Sequence, residues 1–331
     1  MEPVIIRIEE AGCCGHGEAP HWDAETQSLY FIDYIKSSIN KYVPSTNQFT
    51  TSILKKPPSF IMPIKGTSDR FIVSSGRDIW VITWDGISSD SNYVETIASV
   101  DTHPGGESNM FDDGKVDAFG ILWAGTIHSQ VNIATGLPKT GSLYSITKNQ
   151  IKKHFSDVSV SNGITWSKCL KTFYYIDSSK RTVDKFDYNN ETLTLCKLKS
   201  FVTRMSLIFV ANRQILFSLE KHGIPGIPDG MTIDLDGNLW VAVFQGNQVL
   251  NISTKEPESL LRSVEMPESL ITSLCFGGKN LDELYVTTSS SDVFVMTEEN
   301  VGGPPTKPMI GGLYKITGLG VKGSPAESFN Y

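Results

Sequence analysis

What most constrains this chain is that it repeats itself. A turn carrying Asp, Gly or other polar residues is followed by a short bulky apolar run six times over: Leu29-Tyr30-Phe31-Ile32-Asp33, Arg70-Phe71-Ile72-Val73-Ser74, Leu122-Trp123-Ala124-Gly125, Phe173-Tyr174-Tyr175-Ile176-Asp177, Leu239-Trp240-Val241-Ala242 and Leu284-Tyr285-Val286-Thr287. The runs lie roughly 40 to 65 residues apart, close to the ~40–50 of propeller blades. A second strand-like stretch follows most of them, as in Ile39-Asn40-Lys41-Tyr42, Val183-Asp184-Lys185-Phe186 and Val249-Leu250-Asn251-Ile252. Gly141-Ser142-Leu143-Tyr144-Ser145-Ile146 and Gly311-Gly312-Leu313-Tyr314-Lys315-Ile316 are near copies, and Asp85-Gly86 and Asp236-Gly237 are turn signals. Long amphipathic helical periodicity is absent, which argues against a parallel α/β fold. A β-sandwich would also use many short strands, but it would not need six similar units. The expectation is an all-β chain, a single six-bladed β-propeller spanning residues 1–331 with a central metal site. A length of 331 residues does not oppose this, because all-β folds often run long as one unit. The apolar stretch Ser200 to Val210 breaks the pattern. It reads as an insertion, an extra strand or a lid, and all three remain open.

Composition narrows the partners. Net charge is −7 and no Lys/Arg-rich stretch stands out, so neither nucleic acid nor an anionic membrane surface is expected, leaving a small molecule. The segment Met1-Glu2-Pro3-Val4-Ile5-Ile6-Arg7 lacks the features of a signal peptide, and no apolar stretch reaches the roughly 18 residues needed to cross a bilayer. The cysteines number five, at irregular spacing, which makes a poor disulfide framework and points to a reducing, cytoplasmic setting. There the sequons at Asn190 and Asn251 are chance matches. A monomer is expected.

In a propeller, residues far apart in sequence meet on the central axis. Four repeats carry an acidic or amide residue just before a turn into an apolar strand: Gly17-Glu18-Ala19-Pro20, Asp112-Asp113-Gly114-Lys115, Ser161-Asn162-Gly163 and Pro228-Asp229-Gly230. Glu18, Asp112, Asn162 and Asp229 would supply three carboxylates and one amide oxygen, hard donors that suit Ca²⁺, Mg²⁺ or Mn²⁺ rather than a soft metal. Buried together without a cation, the carboxylates would repel one another and some would take up protons. Any single Asn-Gly or Asp-Gly is more often a turn than a ligand, so the pattern alone leaves a metal site and a set of turns both open. No Cys falls at a central position and no nucleophile-elbow motif is present. Trp123, Trp166 and Trp240 belong to repeat strands and read as blade packing rather than a ligand cage.

At these residues the chain resembles the regucalcin (senescence marker protein) and gluconolactonase family, with its beetle branch of luciferin-regenerating enzymes the most similar. The matching motifs include Gly17-Glu18-Ala19-Pro20-His21-Trp22, Asp113-Gly114-Lys115-Val116-Asp117, Ser161-Asn162-Gly163-Ile164-Thr165-Trp166-Ser167, Ile227-Pro228-Asp229-Gly230-Met231 and Ile316-Thr317-Gly318-Leu319-Gly320-Val321-Lys322-Gly323. The resemblance implies a six-bladed propeller holding one divalent ion on Glu18, Asn162 and Asp229. Ca²⁺ is the first expectation, with Zn²⁺, Mn²⁺ or Mg²⁺ as alternatives. It implies hydrolysis of sugar lactones or Ca²⁺ binding, and for the beetle branch recycling of oxidised luciferin. Two departures bear on substrate. Where the family usually has an Arg that holds the sugar and then an Asn, this chain has Met110 and Asp112; where the lactonase has a sugar-reading Glu, it has Gln130. Lactonase chemistry is expected, with gluconolactone a poor candidate for the preferred substrate.

The resemblance also assigns Asp229 the role of general base as well as ligand. Met110, Asp112, Gln130, Ile127 and His128 would line the pocket, although a lone His such as His128 is more often a surface or packing residue, and His21 is expected to support the site from behind. The rival expectation is a non-catalytic, regucalcin-like calcium-binding regulatory protein, and a scaffold for protein partners ranks below both.

Overall fold

A computed structural model of the chain describes residues 2–129, 138–195, 212–290 and 311–331. The segment 200–210 and Gln130 therefore lie outside the described residues. Six antiparallel sheets follow one another along the chain, each led by a strand on the central axis. In blade 1 the strands run Gly17–Asp23, Ser28–Asp33, Ser38–Val43 and Gln48–Ile53; in blade 2, Ile61–Pro63, Arg70–Ser75, Asp78–Thr83 and Asn92–Ser99. Blade 3 comprises Asn109–Val116, Leu122–His128, Gly141–Thr147 and Gln150–Val158; blade 4, Ser161–Trp166, Thr172–Asp177, Thr182–Asn189 and Gln214–Ser218, with Thr194–Leu195 beside the third strand. Blade 5 holds Ile227–Ile233, Leu239–Phe244, Gln248–Ile252 and Leu260–Glu265. Blade 6 holds Ile271–Gly277, Glu283–Thr288 and Leu313–Thr317, and its outermost strand is Val4–Arg7 from the other end of the chain. That pairing closes the ring and protects the last sheet edge.

The six repeated runs are the second strands of the six blades. They read as continuous apolar stretches because both faces of each sheet are covered, so alternate residues serve different neighbours. In blade 3, Leu122 and Ala124 pack towards blade 2 while Trp123 packs towards blade 4. In blade 5, Leu239 and Val241 join the blade 4 side while Trp240 and Ala242 join blade 6. The core is thus a set of apolar layers between neighbouring blades rather than one central mass. Trp123 and Trp240 are buried in these layers, and each indole N–H donates to the Asp that shapes the turn before it, Asp117 at 2.9 Å and Asp234 at 2.9 Å. They pack blades and form no cage.

The C-terminal segment crosses the end of the ring remote from the loops that lead into the inner strands. Leu235 N–H donates to Lys322 O (2.7 Å), Lys65 N–H to Phe329 O (2.9 Å) and Asn330 N–H to Gly120 O (2.8 Å), so the tail ties blade 5 to blades 2 and 3. Phe329 is fully buried there.

Candidate functional site

The axis is built from the six inner strands; five of them are irregular, and the candidate residues lie at four of these irregularities. Each register with the second strand slips: between Glu18 and His21, Phe111 and Gly114, Asn162 and Ile164, Pro228 and Met231, and Ile271 and Ser273. A β-bulge adds a residue on one strand and re-aims the side chains around it. The local sequence favours this. Ala19 adopts φ of 48°, a left-handed conformation, and the Glu18 carboxylate accepts its N–H at 2.8 Å. Asp113 accepts the N–H of Gly114 at 2.7 Å in the same way. The glycines after the candidate residues let neighbouring inner strands close on the axis. A Cβ at Gly163 would meet Asp229 O at 2.8 Å, and one at Gly230 would meet Ser273 Oγ at 2.2 Å.

Glu18, Asp112, Asp113, Asn162 and Asp229 are brought together by these bulges. Asn162 and Asp229 are 7% exposed each. Glu18, Asp112 and Asp113 are half-buried, and Asp113 lines a cavity on the axis. Burial pushes the Glu18 carboxyl well above the usual carboxylate range, with Asp113 and then Asp112 adding to the rise against the Ala19 N–H. Asp229 is pushed up by burial, then by Glu18, Asp112 and Asp113. Burial and Asp113 raise Asp112. Asp113 rises to about 6 through burial, opposed by Lys115 and the Gly114 N–H. These carboxylates repel one another in a poorly solvated place and cannot all be ionised without a counter-charge.

The donor chemistry fits a hard cation. Asn162 donates its amide N–H to Ser178 Oγ at 2.8 Å, which leaves its carbonyl oxygen to the axis. Among the described residues the Asp229 and Asp112 carboxylates accept no hydrogen bond. Also among the described residues, no three His, Cys, Asp or Glu side chains form a metal-holding group. The expected set contains only two side chains of those types, its third donor being an amide.

Met110 faces Ile127 across the first two strands of blade 3, and its Sδ accepts the Tyr34 hydroxyl at 3.4 Å. Tyr34 lies near enough to Asp112 to feel its charge and meets His16 edge-on at 6.3 Å. His128 ends its strand opposite Asn109, half-buried. His21 is 9% exposed and stays neutral, burial lowering its pKa to about 4.

Sequence reasoning missed Asp113. Asp112 was named for the third repeat, yet Asp113 directly precedes the glycine, as Asn162 and Asp229 do. The signal was the Asp113-Gly114 pair itself. It also missed Lys115, and Asp33 and Asp177, which end second strands and accept backbone N–H groups from the loops leading into the inner strands: Gly15 at 2.8 Å and Val160 at 3.1 Å. Beyond the bulges the axis widens into a cavity of about 270 Å³ lined by the later parts of the inner strands and floored by Ser324, Pro325, Ala326 and Glu327.

Comparison with known proteins accords with this geometry. Residues 16–290 match the family model described as an SMP-30/Gluconolactonase/LRE-like region. The chain is 35% identical to chicken (Gallus gallus) regucalcin over 327 residues, covering 98% of each. A solved structure of a luciferin-regenerating enzyme is similar over 100% of both chains, with 42% identity and a TM-score of 0.88. A calcium-binding regucalcin from Agrobacterium tumefaciens shares the fold at a TM-score of 0.76 and 18% identity, covering 98% of this chain and 97% of the other.

Proposed function

The chain belongs to the SMP-30/gluconolactonase/LRE-like family, whose members are lactonase-type or regucalcin-like proteins, and on that premise we propose that it is a divalent-metal-dependent hydrolase of a lactone or ester. The observation that carries the reading is the gathering of four carboxylates and an amide oxygen at inner-strand bulges, where burial and mutual repulsion hold Glu18 and Asp229 well above the ordinary range. Glu18, Asn162 and Asp229 would hold one ion, Ca²⁺ first, with Zn²⁺, Mn²⁺ or Mg²⁺ as alternatives. When bound, such an ion supplies Lewis-acid polarisation of a carbonyl and a more acidic water.

The remaining work falls to the chain's own groups. Asp229 would take the proton of the attacking water as well as holding the ion. Asn162, tied to Ser178, keeps its oxygen fixed. Asp112 adds negative charge beside the ion and makes binding tighter. Met110 and Ile127 give the mouth an apolar wall in place of a sugar-holding cation, so the substrate is a less hydroxylated lactone or ester than gluconolactone. His128, at the end of the same strand as Ile127, borders that wall, and the family resemblance assigns Gln130 a part in reading the substrate. The similarity to a luciferin-regenerating enzyme brings recycling of oxidised luciferin within the same proposal. The protein would act as a cytoplasmic monomer, one propeller domain on a small molecule.

The second reading, a calcium-binding regulatory protein without turnover, is favoured by Met110 and by relatives named regucalcin. A panel of aldonolactones and aromatic esters, assayed with Ca²⁺, Mn²⁺ or Zn²⁺ against a Glu18→Gln control, separates the two. Metal-dependent hydrolysis lost in the control supports the enzyme. Tight Ca²⁺ binding with no substrate turned over supports the regulatory protein.

A further inference from the structure

Lys115 lines the axial cavity beside Asp113, one of the carboxylates at the bulges, and nothing in the proposed chemistry uses it. It lies two residues past Asp113 on the inner strand of blade 3 and lines the axial cavity with His21, Met231 and Cys275. Its Nζ donates to Met231 O at 2.9 Å, reaching across the axis to the blade 5 strand just after the bulge at Asp229-Gly230. A lysine is rarely kept in such surroundings without a compensating anion. Burial disfavours the ammonium, and the Asp113 carboxylate favours it; reciprocally, Lys115 is the first influence opposing the burial of Asp113. Asp117, Lys168, Asp234 and Glu327 line other parts of the cavity, while the two titratable neighbours of Lys115 on other inner strands carry no charge. His21 is neutral, and burial keeps the Cys275 thiol protonated, its pKa pushed up to about 12.

Resting on the cation reading above, we infer that Lys115 is a positioning residue for the cation site: its ammonium, anchored on Met231 O, balances Asp113 and thereby limits how tightly the axial carboxylates take a divalent ion. Removing that positive charge leaves the cluster more negative, and removing Asp113 leaves it less so. Because a divalent ion feels either change through a poorly screened interior, the effect on affinity is large.

The test uses the full chain as Lys115→Met, Lys115→Arg, Asp113→Asn and the Lys115→Met/Asp113→Asn double variant. Ca²⁺ and Mn²⁺ are titrated calorimetrically, and thermal unfolding is followed without metal. Lys115→Met tightens Ca²⁺ binding by about tenfold, Asp113→Asn weakens it by about tenfold, and the double variant and Lys115→Arg return to within about threefold of the parent. Should Lys115→Met alone fail to fold, the Asp113→Asn and double variants still decide the point. A lysine that merely fills space would lower the melting temperature of both Lys115→Met chains alike and leave affinity in place. That outcome, or looser binding in Lys115→Met, overturns the inference. A parent chain that binds neither ion, or a Glu18→Gln chain that binds as well as the parent, would instead remove the cation reading. The Lys115–Asp113 balance is then judged on metal-free unfolding alone, where the double variant should regain most of the stability lost in Lys115→Met.

Discussion

The inner strands of blades 2 and 5 hold equivalent places in the ring and have opposite characters. In blade 5, Ile227–Ile233 slips register between Pro228 and Met231 and turns Asp229 to the axis. In blade 2, Ile61–Pro63 pairs with its neighbour without a slip and buries Ile61 and Met62 in the apolar layers. A propeller blade therefore does not need a polar inner strand, and the carboxylates of blades 1, 3 and 5 are a cost that the fold alone would not select. Blade 6 refines the point. Its bulge carries Thr272, which donates to Gly17 O at 2.6 Å and so helps join blade 6 to blade 1. A bulge permits an axial ligand without specifying one; the residue placed there decides the use.

The sharpest way to break the contrast is to neutralise the acidic side of it. Glu18→Gln or Asp229→Asn should weaken Ca²⁺ binding by about a hundredfold or more and remove metal-dependent turnover with it, measured by calorimetry and by hydrolysis of the substrate panel. Unchanged binding would show that the cluster is not a cation site. The converse substitution is Met62→Asp in blade 2. Met62 borders the axial cavity as well as the apolar layer, but without a bulge the new carboxylate is not aimed at the site's donors, so the expected result is a loss of about 3 kcal/mol in urea unfolding and no gain in Ca²⁺ affinity. Tighter binding instead would mean that proximity to the axis suffices.

A smaller effect separates Asp112 from the three expected ligands. Asp112→Asn should weaken Ca²⁺ about tenfold through lost charge while the fold melts as before. The smallest is a pH effect of opposite sign in two regions. Asp113, raised from 3.8 to about 6, holds a proton that the unfolded chain has already released, so the metal-free protein loses stability as pH climbs through that window, and saturating Ca²⁺ should flatten the loss. His154 stacks on Trp123 in blade 3, and burial lowers its pKa from 6.5 to about 3. The unfolded chain takes that proton first, so this contribution is lost as pH falls from 6.5 towards 3. Melting temperatures across pH 3 to 8 for the parent and His154→Gln, with and without Ca²⁺, would resolve the two slopes.

Much of the site was legible because its signal is local. Asn162-Gly163 and Asp229-Gly230 announce themselves as a polar residue before a glycine, and the structure shows the glycine making room for the next inner strand. Glu18 was found through its motif, although Ala19 takes the place of the glycine. Asp112 drew attention from Asp113 because two adjacent acids in a strand cannot be ranked by pattern. Both fall inside the register slip between Phe111 and Gly114, so strand pairing does not rank them either, and the glycine after Asp113 is the one local mark that sets it apart. Lys115 looked like any strand lysine until its partner proved to be a backbone carbonyl 116 residues away.

The sequence by itself determined the six blades and their second strands, because each depends on alternation and turn chemistry within a few residues. It also determined that hard oxygen donors recur once per repeat in four of them. The tertiary structure decided how the ring closes through Val4–Arg7, how the C-terminal segment floors the axial cavity, and which charges meet beside Glu18 and Asp229. Those outcomes are contacts between residues tens to hundreds of positions apart, and their energies depend on burial and distance, which no local pattern encodes.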